Sequence, residues 1–515
     1  MKIIILTIFC ICINMNMYAQ KYFSKMFDVN KSWESFVFPI NTTNNHLILS
    51  GTSINFFVND STRFRSVILV KLDSTFNIIA KMELREPFKN YTYLIPIKNL
   101  NNKFVYGLLD TNNRVSYKIL KLNDINIEGF KSINFPYSIS LTNNDILTIN
   151  NKLYFFCADY TTFIASKLKL SIQCMDTNGN LLWGKIFQDK RCYTNNVVQT
   201  KDGNFLLAGY KYYGEGSGGD DSAFAWYAKV DTLGNILWEQ VLNRGSELMC
   251  SYVYGTNANG NIYLTGSNIA NYPFYWYKGI YGDTSFSYML KINENNGKIE
   301  WQKRFLYTVN NIRGLNDNLG EITYHNSNLY ALIDHHVSER ENPQDFSQYV
   351  MFAKFDLQGN LIWKRLFSNW YLSNRAYSLT PIDDGFLICG DSKDSTHAKG
   401  DSDAWLIKTD SNGCIIPNCN AKDGIVQIIN PEKVFTVYPN PAQNEINVST
   451  ENLDIKIESL AVYNLQGQVL KFRQAQLPEK EITKINTEDL ANGNYLLIIT
   501  TNKQQMAGKK FVVER

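Results

Sequence analysis

Short runs of aromatic and β-branched residues recur along most of the chain, separated by polar turn pairs such as Asp-Gly, Asn-Gly and Gly-Asn. Runs of this kind predict β-strands, and the turn pairs predict tight hairpins between neighbouring strands. The repeated region has no convincing stretch in which apolar residues are spaced as on one face of a helix. The pattern therefore predicts an all-β protein built from many short strands.

The strands follow an internal repeat. The segments 229–238 and 354–363 agree in the same register at Lys, Asp, Gly, Asn and Trp. Weaker copies carry the acid or amide at five further positions: Asp73, Asn123, Asp176, Asn293 and Asp410. Six steps cover the 337 residues from Asp73 to Asp410, so the period is about 56 residues.

A second signature, a turn followed by a short strand, precedes the first one in each period. It is clearest at 202–209, 259–266 and 384–390. Related forms begin near four other residues: His46, Phe104, Leu153 and Leu329. Each period therefore holds about four antiparallel strands, and seven such units around an axis predict a seven-bladed β-propeller.

The two ends of the repeat complement each other. The seventh copy ends in 414–419, where its last strand should be. Near the other end of the chain, the segment 23–27 (Phe-Ser-Lys-Met-Phe) fits the pattern of 363–367 (Trp-Lys-Arg-Leu-Phe). We therefore expect the N-terminal strand to complete the last blade and close the ring, which removes two open sheet edges.

The repeated residues are interpreted as scaffold. An acid or amide with Gly three residues later fits a turn in which the short side chain bonds nearby backbone and Gly accepts a positive φ. The Trp that follows is expected to dock one blade on the next. The clearest members of this blade-packing set are Asp176, Trp183, Asp231, Trp238, Trp301, Asp356 and Trp363.

The pattern Lys-x-Asp-x-x-Gly-Asn-x-x-Trp resembles that of secreted bacterial repeat propellers, over about residues 21–419. It is also similar to the tryptophan-docking repeat of quinoprotein dehydrogenases. That family has eight blades and a cofactor-lined central funnel, and no such funnel can be located in this sequence. The resemblance implies a propeller fold and says little about activity.

A new pattern begins after a linker at 420–431. Apolar residues alternate between Asn-Gly and Gln-Gly turns in 432–515, which predicts a small Ig-like β-sandwich. This segment resembles the type A sorting domain of the Bacteroidetes type IX secretion system, also called the Por secretion system. The residues that carry the resemblance are Tyr438, Pro439, Asn440, Pro441, Gly467, Gly493, Tyr495 and Lys510.

The resemblance implies a route out of the cell. The expected partners are the type IX secretion machinery and a sorting peptidase that removes the tail, often with attachment of the protein to a surface glycolipid. Residues 1–19 have the layout of a secretory signal peptide, with Lys2, an apolar run of about 11 residues and Ala19 before the cleavage point. A membrane anchor is the alternative, but a span needs about 20 apolar residues. We expect a secreted or outer cell surface protein that passes through the periplasm, with no transmembrane span.

Charge and cysteine content bear on two further questions, nucleic-acid binding and disulfide pairing. The 51 Lys and Arg residues and 48 Asp and Glu residues leave a net charge of +3. A net charge this small does not indicate a nucleic-acid-binding protein. Nine cysteines include two in the leader, so the remaining seven cannot all pair within one chain. Cys414 and Cys419 flank a tight segment and are the candidate disulfide.

Catalytic and cofactor-binding residues are not predicted. Weak calcium candidates are the paired acids Asp220, Asp221, Asp401 and Asp403, although we prefer to interpret them as parts of hydrated turns. Asp334, His335 and His336 form the only dense constellation around a histidine, and we interpret it as a solvated loop after the strand 329–333. The Gly-rich segment 214–221 opens no predicted helix and is interpreted as a hairpin.

Long insertions at 268–286 and 335–348 are candidate contact surfaces. Tyr272, Tyr275 and Trp276 have two open interpretations: they stack on a sugar or grip a protein ligand, or they pack between blades five and six. The function that fits these observations is a binding or scaffold module. The alternatives are an enzyme acting on an extracellular polymer, such as a glycan lyase or hydrolase, and a quinone-dependent oxidoreductase.

Overall fold

The structure is a computed structural model in which the described residues carry strands, bridges, turns and bends and no helix. The residues that it describes are 23–27, 33–41, 47–56, 63–74, 76–84, 91–93, 103–109, 115–123, 126–133, 139–140, 146–159, 169–187, 192–213, 222–242, 250–268, 286–305, 308–309, 312–313, 316–338, 346–367, 374–393, 402–415, 427–428, 435–449, 457–464, 469–474, 483–501 and 505–515.

Two compact units divide the chain. Residues from Ser24 to Gly413 belong to the first unit, and the strands from Gln427 onwards belong to the second. Within the described residues, no helix is long and apolar enough to span a membrane.

Among its described residues the first unit contains seven antiparallel sheets of more than two strands, six of four strands and one of five, and one two-stranded hairpin. Sheet 1 consists of β2 (Trp33–Asn41), β3 (Leu47–Phe56), β4 (Arg63–Leu72) and β5 (Ile78–Leu84), and sheet 2 consists of β6 (Tyr91–Tyr93), β7 (Lys103–Leu109), β8 (Val115–Asn123) and β9 (Asn126–Ile133). Sheet 3 consists of β10 (Ile139–Ser140), β11 (Ile146–Ile149), β12 (Lys152–Asp159), β13 (Lys169–Asp176) and β14 (Leu181–Ile186), and sheet 4 consists of β15 (Cys192–Gln199), β16 (Phe205–Tyr213), β17 (Ser222–Val230) and β18 (Ile236–Val241).

Sheet 5 consists of β19 (Cys250–Ala258), β20 (Asn261–Asn268), β21 (Phe286–Ile292) and β22 (Ile299–Phe305); sheet 6 of β25 (Asn316–His325), β26 (Asn328–Ser338), β27 (Phe346–Phe355) and β28 (Leu361–Phe367); and sheet 7 of β29 (Asn374–Ile382), β30 (Gly385–Lys393), β31 (Ser402–Asp410) and β1 (Phe23–Phe27).

Two sheets depart from the regular repeat. In sheet 3 the first strand is divided, because β10 and β11 pair with opposite ends of β12. In sheet 2 the last hairpin is tight, and Asn123 pairs directly with Asn126. A separate hairpin of β23 (Thr308–Val309) and β24 (Ile312–Arg313) lies between sheets 5 and 6 in the sequence.

Neighbouring sheets pack against each other through apolar faces. One buried cluster joins sheets 3 and 4 and includes Phe156, Ile172 and Phe205. Sheet 7 contacts sheet 6 through β29 and contacts sheet 1 through β2. The first and last sheets of the array are therefore in contact.

The junction between sheets 7 and 1 uses the same polar contact as an internal junction. Lys25 on β1 donates hydrogen bonds to the carbonyl of Phe76 and to Oδ1 of Asn77, each at 3.0 Å. Lys185, at the matching position on β14, donates to Oδ1 of Asn235 in the next sheet at 3.1 Å. The N-terminal strand thus takes the outer position in sheet 7 that β14 has in sheet 3.

Each repeated Trp between sheets 3 and 7 lies against the glycine of the next sheet's turn. Gly234 has a φ of 78°, which favours glycine, and an added Cβ would stand 3.2 Å from the ring of Trp183. The other three contacts of this kind are Trp238 on Gly297, Trp301 on Gly359 and Trp363 on Gly413. In the first copy, Phe76 occupies the glycine position with a φ of 60°.

The second unit consists of a five-stranded and a three-stranded sheet among its described residues. The strands are β32 (Gln427–Ile428), β39 (Gln505–Val513), β38 (Gly493–Thr501), β35 (Ile457–Asn464) and β36 (Val469–Gln474), in that order, and β33 (Thr436–Tyr438), β34 (Glu445–Ser449) and β37 (Thr483–Asn486). Its buried core contains Ile446, Leu460, Leu497 and Phe511.

Candidate functional site

A β-bulge interrupts the first strand in five of the seven sheets of the first unit. The breaks lie at Phe36/Phe38, Thr194/Asn196, Cys250/Val253, Leu319/Ile322 and Ala376/Ser378. At three of these bulges a glycine on the second strand faces the bulged backbone: Gly51, Gly209 and Gly390. A bulge redirects side chains and is often found beside functional sites.

The bulge in sheet 7 inserts Tyr377 between two paired residues, Ala376 and Ser378. The hydroxyl of Tyr377 donates a hydrogen bond to Oδ1 of Asp391 at 3.1 Å. Arg375 stands directly opposite Asp391 in the strand register. These three side chains share the end of the sheet at which β30 leads into the connection to β31.

Sheet 6 contributes a second carboxylate to the same place. Asp334 on β26 accepts a hydrogen bond from the backbone N–H of Ala376 and lies within electrostatic range of Arg375 and Asp391. On the other side, the side chain of Ser402 bonds to Asp391. We call Asp334, Arg375, Tyr377, Asp391 and Ser402 the Asp334–Asp391 cluster.

Among the described side chains, a single guanidinium, that of Arg375, acts on the two carboxyl groups of the Asp334–Asp391 cluster. Removal of solvent raises the pKa of Asp334 to about 7, although Arg375 opposes the shift, and Asp391 acts in the same direction as burial. Burial likewise raises the pKa of Asp391 to about 6, against the influence of Arg375 and Tyr377. Asp334 is therefore only partly ionised near neutral pH.

The raised pKa values predict how stability depends on pH. Both carboxyl groups keep their protons to a higher pH in the folded chain than in the unfolded chain, so folding takes up protons between about pH 4 and pH 7. The free energy of unfolding should fall as pH rises from 5 to 8. Asp334→Asn removes the charge and should raise stability at pH 8 by roughly 1 to 2 kcal/mol. Denaturant titrations at several pH values test this, and a variant with an unchanged pH profile contradicts it.

An aromatic pair occupies the corresponding position in sheet 4. Tyr193 and Tyr210 face each other across β15 and β16 in the register that Arg375 and Asp391 have in sheet 7. Their rings are stacked with centroids 5.0 Å apart, and both side chains are partly exposed. Sheets 4 and 7 thus carry different side chains at matching positions, at the end of each sheet where the second strand leads into the connection to the third.

The constellation at Asp334 corrects one expectation from the sequence. The strand β26 does not end at Ile333 but continues to Ser338, so Asp334, His335 and His336 belong to a paired strand and not to a solvated loop. The side chain of Asp334 is partly buried. The insertion predicted at 335–348 is correspondingly shorter, because β27 begins at Phe346.

The repeated acids lie in turns between the third and fourth strands. The carboxylate of Asp231 accepts hydrogen bonds from the N–H groups of Leu233 and Asn235, at 2.9 and 2.7 Å. Asp176 and Asp356 make the same bonds in their own turns. For Asp231 burial raises the pKa, but the hydrogen bonds outweigh it and the pKa lies below the ordinary value. These carboxylates thus accept hydrogen bonds from the backbone N–H groups of their own turns.

The repeated Lys connects the two sequence signatures. In sheet 4 the buried Lys229 Nζ lies 2.7 Å from Oδ2 of Asp202 and 3.3 Å from Oε1 of Glu294 in sheet 5. In sheet 7 Lys408 pairs with Asp384 at 3.4 Å. The Lys of the first signature thus neutralises the acid of the Asp-Gly turn, a pairing that the sequence does not reveal.

Several predicted residues lie outside the described part of the chain. They are Asp220, Asp221, Asp401, Tyr272, Tyr275, Trp276, Cys419 and Gly467. Asp403 belongs to β31, opposite Ser392. Among the described residues no group of three or more His, Cys, Asp or Glu side chains is arranged to hold a metal ion. Cys414 is disulfide-bonded, and Cys174, Cys192 and Cys389 are buried free thiols.

In the second unit, several residues that carry the sorting resemblance lie on or directly beside the last strand, β39. The turn that follows Tyr438 joins the last strand through Asn440, whose Oδ1 accepts a hydrogen bond from the N–H of Val512 at 2.8 Å. Tyr495 is buried, and its hydroxyl donates to the carbonyl of Ala491. Lys510 is exposed on β39.

Arg515 fastens two of the turns in this unit. Its guanidinium donates to the carbonyls of Gln443, Thr487 and Leu490 at 3.0, 2.6 and 2.6 Å. Hydrogen bonds from charged donors contribute roughly 1.5 to 3 kcal/mol each when buried, and less at a partly exposed site. Arg515→Ala should therefore lower the stability of this unit by about 2 kcal/mol. Faster cleavage of 436–514 by an added protease is the expected readout. Lys484→Ala, which removes an exposed ion pair with Glu445, should leave the cleavage rate nearly unchanged.

No local motif in the sequence joins Asp334 to Asp391. Asp334 and Asp391 are separated by 57 residues, close to one period, so they hold related places in consecutive repeats. The signal that could have found them is a departure from the repeat. An acid stands at both places, whereas the corresponding residue in sheet 4 is Tyr210.

Comparison with known proteins assigns one part of the chain. Residues 436–514 match the family described as the secretion system C-terminal sorting domain. The comparison with curated proteins gives no match.

Solved structures with a partial likeness have little sequence in common with this chain. Drosophila Semaphorin 2a has 7% identity and a TM-score of 0.42, and the match covers 96% of this chain and 98% of that one. Phage phi92 endosialidase has 8% identity and a TM-score of 0.40, with 96% and 87% covered. The β-propeller domain of the Trilobed protease from Pyrococcus furiosus has 11% identity and a TM-score of 0.38, with 74% and 99% covered. We take the fold from the strand pairing and not from these likenesses.

Proposed function

We propose, on the premise that this secreted or outer-surface repeat protein carries a type IX secretion sorting domain, that its first unit is a seven-bladed β-propeller acting as a binding module. The second unit is then the Ig-like sorting sandwich. It engages the type IX machinery and a sorting peptidase removes it. The observation that carries the export part is the family match over 436–514.

The propeller interpretation is supported by the arrangement of the sheets. Seven sheets of similar strand order follow one another, and the N-terminal strand β1 forms the edge of sheet 7. Sheet 7 in turn contacts sheet 1. A ring of sheets places the connections between second and third strands at one end, where ligands of such folds commonly bind.

The binding part of the proposal rests on that loop-bearing end. The Asp334–Asp391 cluster and the Tyr193–Tyr210 pair are polar and aromatic groups of the kind that fix a ligand's orientation. The connection 269–285, which contains Tyr272, Tyr275 and Trp276, leaves sheet 5 at the corresponding end. A glycan or a protein is the proposed ligand class, and attachment of the mature protein to a surface glycolipid is the proposed fate.

The export part is tested in a host with an active type IX system. The full chain should reach the medium or the cell surface without 432–515. A chain that lacks 432–515 should remain in the periplasm. Surface delivery of the truncated chain would contradict the proposal.

The binding part is tested by screening the secreted protein on glycan and protein arrays, with and without added calcium. Retention of a ligand without release of a product is the expected result. No cofactor is proposed, and calcium enters only as a candidate ligand of Asp220, Asp221, Asp401 and Asp403.

An enzyme acting on an extracellular polymer is the second candidate. The observation that favours it is the pair of carboxyl groups with raised pKa values, because a protonated carboxyl near neutral pH can act as a general acid. Product release from a glycan that Asp334→Asn abolishes would support this candidate. A quinone-dependent oxidoreductase is not proposed, because the described residues of the first unit form seven sheets of four or five strands, whereas that family has eight blades.

A further inference from the structure

An exposed segment without charge precedes β34 in the second unit. It comprises residues 438–444, from the last residue of β33 to the residue before β34. The exposed side chains of this segment are those of Tyr438, Pro439, Asn440, Pro441, Gln443 and Asn444. No charged residue lies between Phe435 and Glu445. Charged residues are depleted from the centres of protein interfaces, so the 438–444 segment has the composition of a contact surface.

Hydrogen bonds to the last strand and the residues after it hold the 438–444 segment in place. Oδ1 of Asn440 accepts a hydrogen bond from the N–H of Val512 at 2.8 Å. The N–H of Ala442 donates to the carbonyl of Val512 at 2.7 Å, and the N–H of Glu514 donates to the carbonyl of Ala442 at 2.9 Å. Ala442 itself is fully buried. A partner therefore meets a surface whose backbone is already ordered, which reduces the entropy lost on binding.

The rings of the 438–444 segment are not part of the core of this unit. Tyr438 is 41% exposed, whereas Val437, one residue earlier, is buried in the core. Pro439 and Pro441 are exposed as well. These three residues are nevertheless among those that carry the resemblance to a sorting domain. Residues that mark a sorting domain, and that its core does not use, are available for recognition by a partner.

Charged groups border the 438–444 segment. Glu445 follows the segment directly and pairs with Lys484 on β37 at 2.8 Å. The guanidinium of Arg515 donates a hydrogen bond to the carbonyl of Gln443 at 3.0 Å. A central patch without charge, surrounded by a polar and charged rim, is the usual anatomy of a protein–protein interface.

We propose that Tyr438, Pro439 and Pro441 form the contact by which a protein of the type IX secretion machinery recognises this sorting domain. The inference rests on the proposed export function and names the surface that the machinery contacts. The occupant is a protein of that machinery because residues 436–514 match a secretion sorting domain, which the machinery has to recognise. The complementary surface is an apolar pocket that takes the ring of Tyr438, since buried aromatic anchors dominate the energetics of interfaces.

Two other occupants fit the 438–444 segment less well. A strand that adds to a partner sheet needs unpaired backbone groups, but the N–H and the carbonyl of Ala442 are both bonded within the unit. An anionic lipid surface attracts lysine and arginine, and the segment contains neither. Recognition therefore depends on the exposed side chains and on an apolar protein surface that covers them.

Tyr438→Ala in the full chain should slow delivery in a host with an active type IX system. The initial rate at which the protein appears at the surface or in the medium should fall about tenfold, because truncation of an aromatic anchor weakens an interface by at least that factor. The undelivered chain should accumulate in the periplasm. Tyr438→Phe keeps the ring and should retain at least about half of the rate. Pulse labelling followed by fractionation of the cells measures these rates.

Leu470→Ala is the matched control in the same unit. Leu470 on β36 is 42% exposed, nearly the same fraction as Tyr438, so its truncation removes a similar exposed apolar side chain. Its rate of delivery should equal that of the unchanged chain. Delivery of Tyr438→Ala at the rate of Leu470→Ala would overturn the proposed contact.

Photo-crosslinking identifies the partner and does not depend on a truncated side chain. A benzophenone amino acid at position 438 keeps an aromatic ring there, so the unit stays folded even if Tyr438→Ala disturbs it. The expected product joins the full chain to a component of the type IX machinery, identified by mass spectrometry. The same amino acid at position 470 should not give this product. A product with a second copy of this chain or with a glycolipid, or no product specific to position 438, would overturn the proposal.

The chain that lacks 432–515 separates this inference from the export function itself. Surface delivery of that truncated chain contradicts the export function and the contact surface together. Retention of the truncated chain in the periplasm, combined with normal delivery of Tyr438→Ala, leaves the export function intact and refutes the contact at Tyr438, Pro439 and Pro441.

Discussion

Gly209→Ala should reduce the free energy of unfolding of the first unit by about 3 kcal/mol or more, because the new methyl group has no space. Gly209 on β16 faces the bulge of β15, and an added Cβ would overlap the carbonyl oxygen of Tyr193. Both partners of this overlap are backbone atoms, so no side-chain rotation can relieve it. The strand pairing at the bulge would have to open.

Denaturant unfolding followed by tryptophan fluorescence measures this effect in the right unit. All nine tryptophans lie between Trp33 and Trp405, so the signal reports on the first unit and not on 436–514. Gly203→Ala is the matched control. Gly203 has a positive φ, of 83°, and nothing lies within 4 Å of an added Cβ, so the cost should be about 1 kcal/mol and come from the backbone alone. A loss in Gly209→Ala no larger than that in Gly203→Ala would show that the contact at the bulge does not decide the outcome.

Trp363→Ala should destabilise the first unit by about 3 to 5 kcal/mol. The side chain is 8% exposed and packs between two sheets. Its ring meets Phe352 edge-on with centroids 5.1 Å apart, and the guanidinium of Arg365 lies 4.6 Å from the ring centre. On the other side it lies against Gly413 in the turn of sheet 7. Truncation to Ala leaves a cavity at this junction that backbone glycine cannot fill.

Leu361→Ala is the control on the same strand. Leu361 is 41% exposed, so its truncation should cost no more than about 1 kcal/mol. The same fluorescence titration compares the two variants. A loss at Trp363 as small as that at Leu361 would mean that the repeated Trp is not a packing element between sheets.

Much of the fold could be predicted because the repeat presents each structural requirement several times. The turn at Asp231 requires a short acceptor side chain and a glycine with positive φ, and both recur at Asp176 and Asp356. The N-terminal strand was recognisable because Phe23–Phe27 has the pattern of Leu361–Phe367 from Trp363 onwards. A residue that every sheet requires recurs once in each period of the sequence, so it can be recognised without the structure.

Features that occur once were harder to predict. The division of the first strand of sheet 3 into β10 and β11 and the tight hairpin at Asn123 have no repeated signal. The same holds for the Asp334–Asp391 cluster. Its members come from three strands of two sheets, and their pKa values depend on solvent exclusion that no local pattern encodes. The continuation of β26 through Asp334 depends on pairing with β27, which is likewise a tertiary effect.

Photo-crosslinking from position 25 tests most directly whether the ring of sheets closes. A benzophenone amino acid replacing Lys25 should crosslink to the tryptic peptide 72–81, which contains Phe76 and Asn77. The internal control replaces Lys303, which contacts Asn360, and should crosslink to 355–364. A closed ring predicts both products in comparable yield. Crosslinking from position 303 without any product joining position 25 to 72–81 would contradict it.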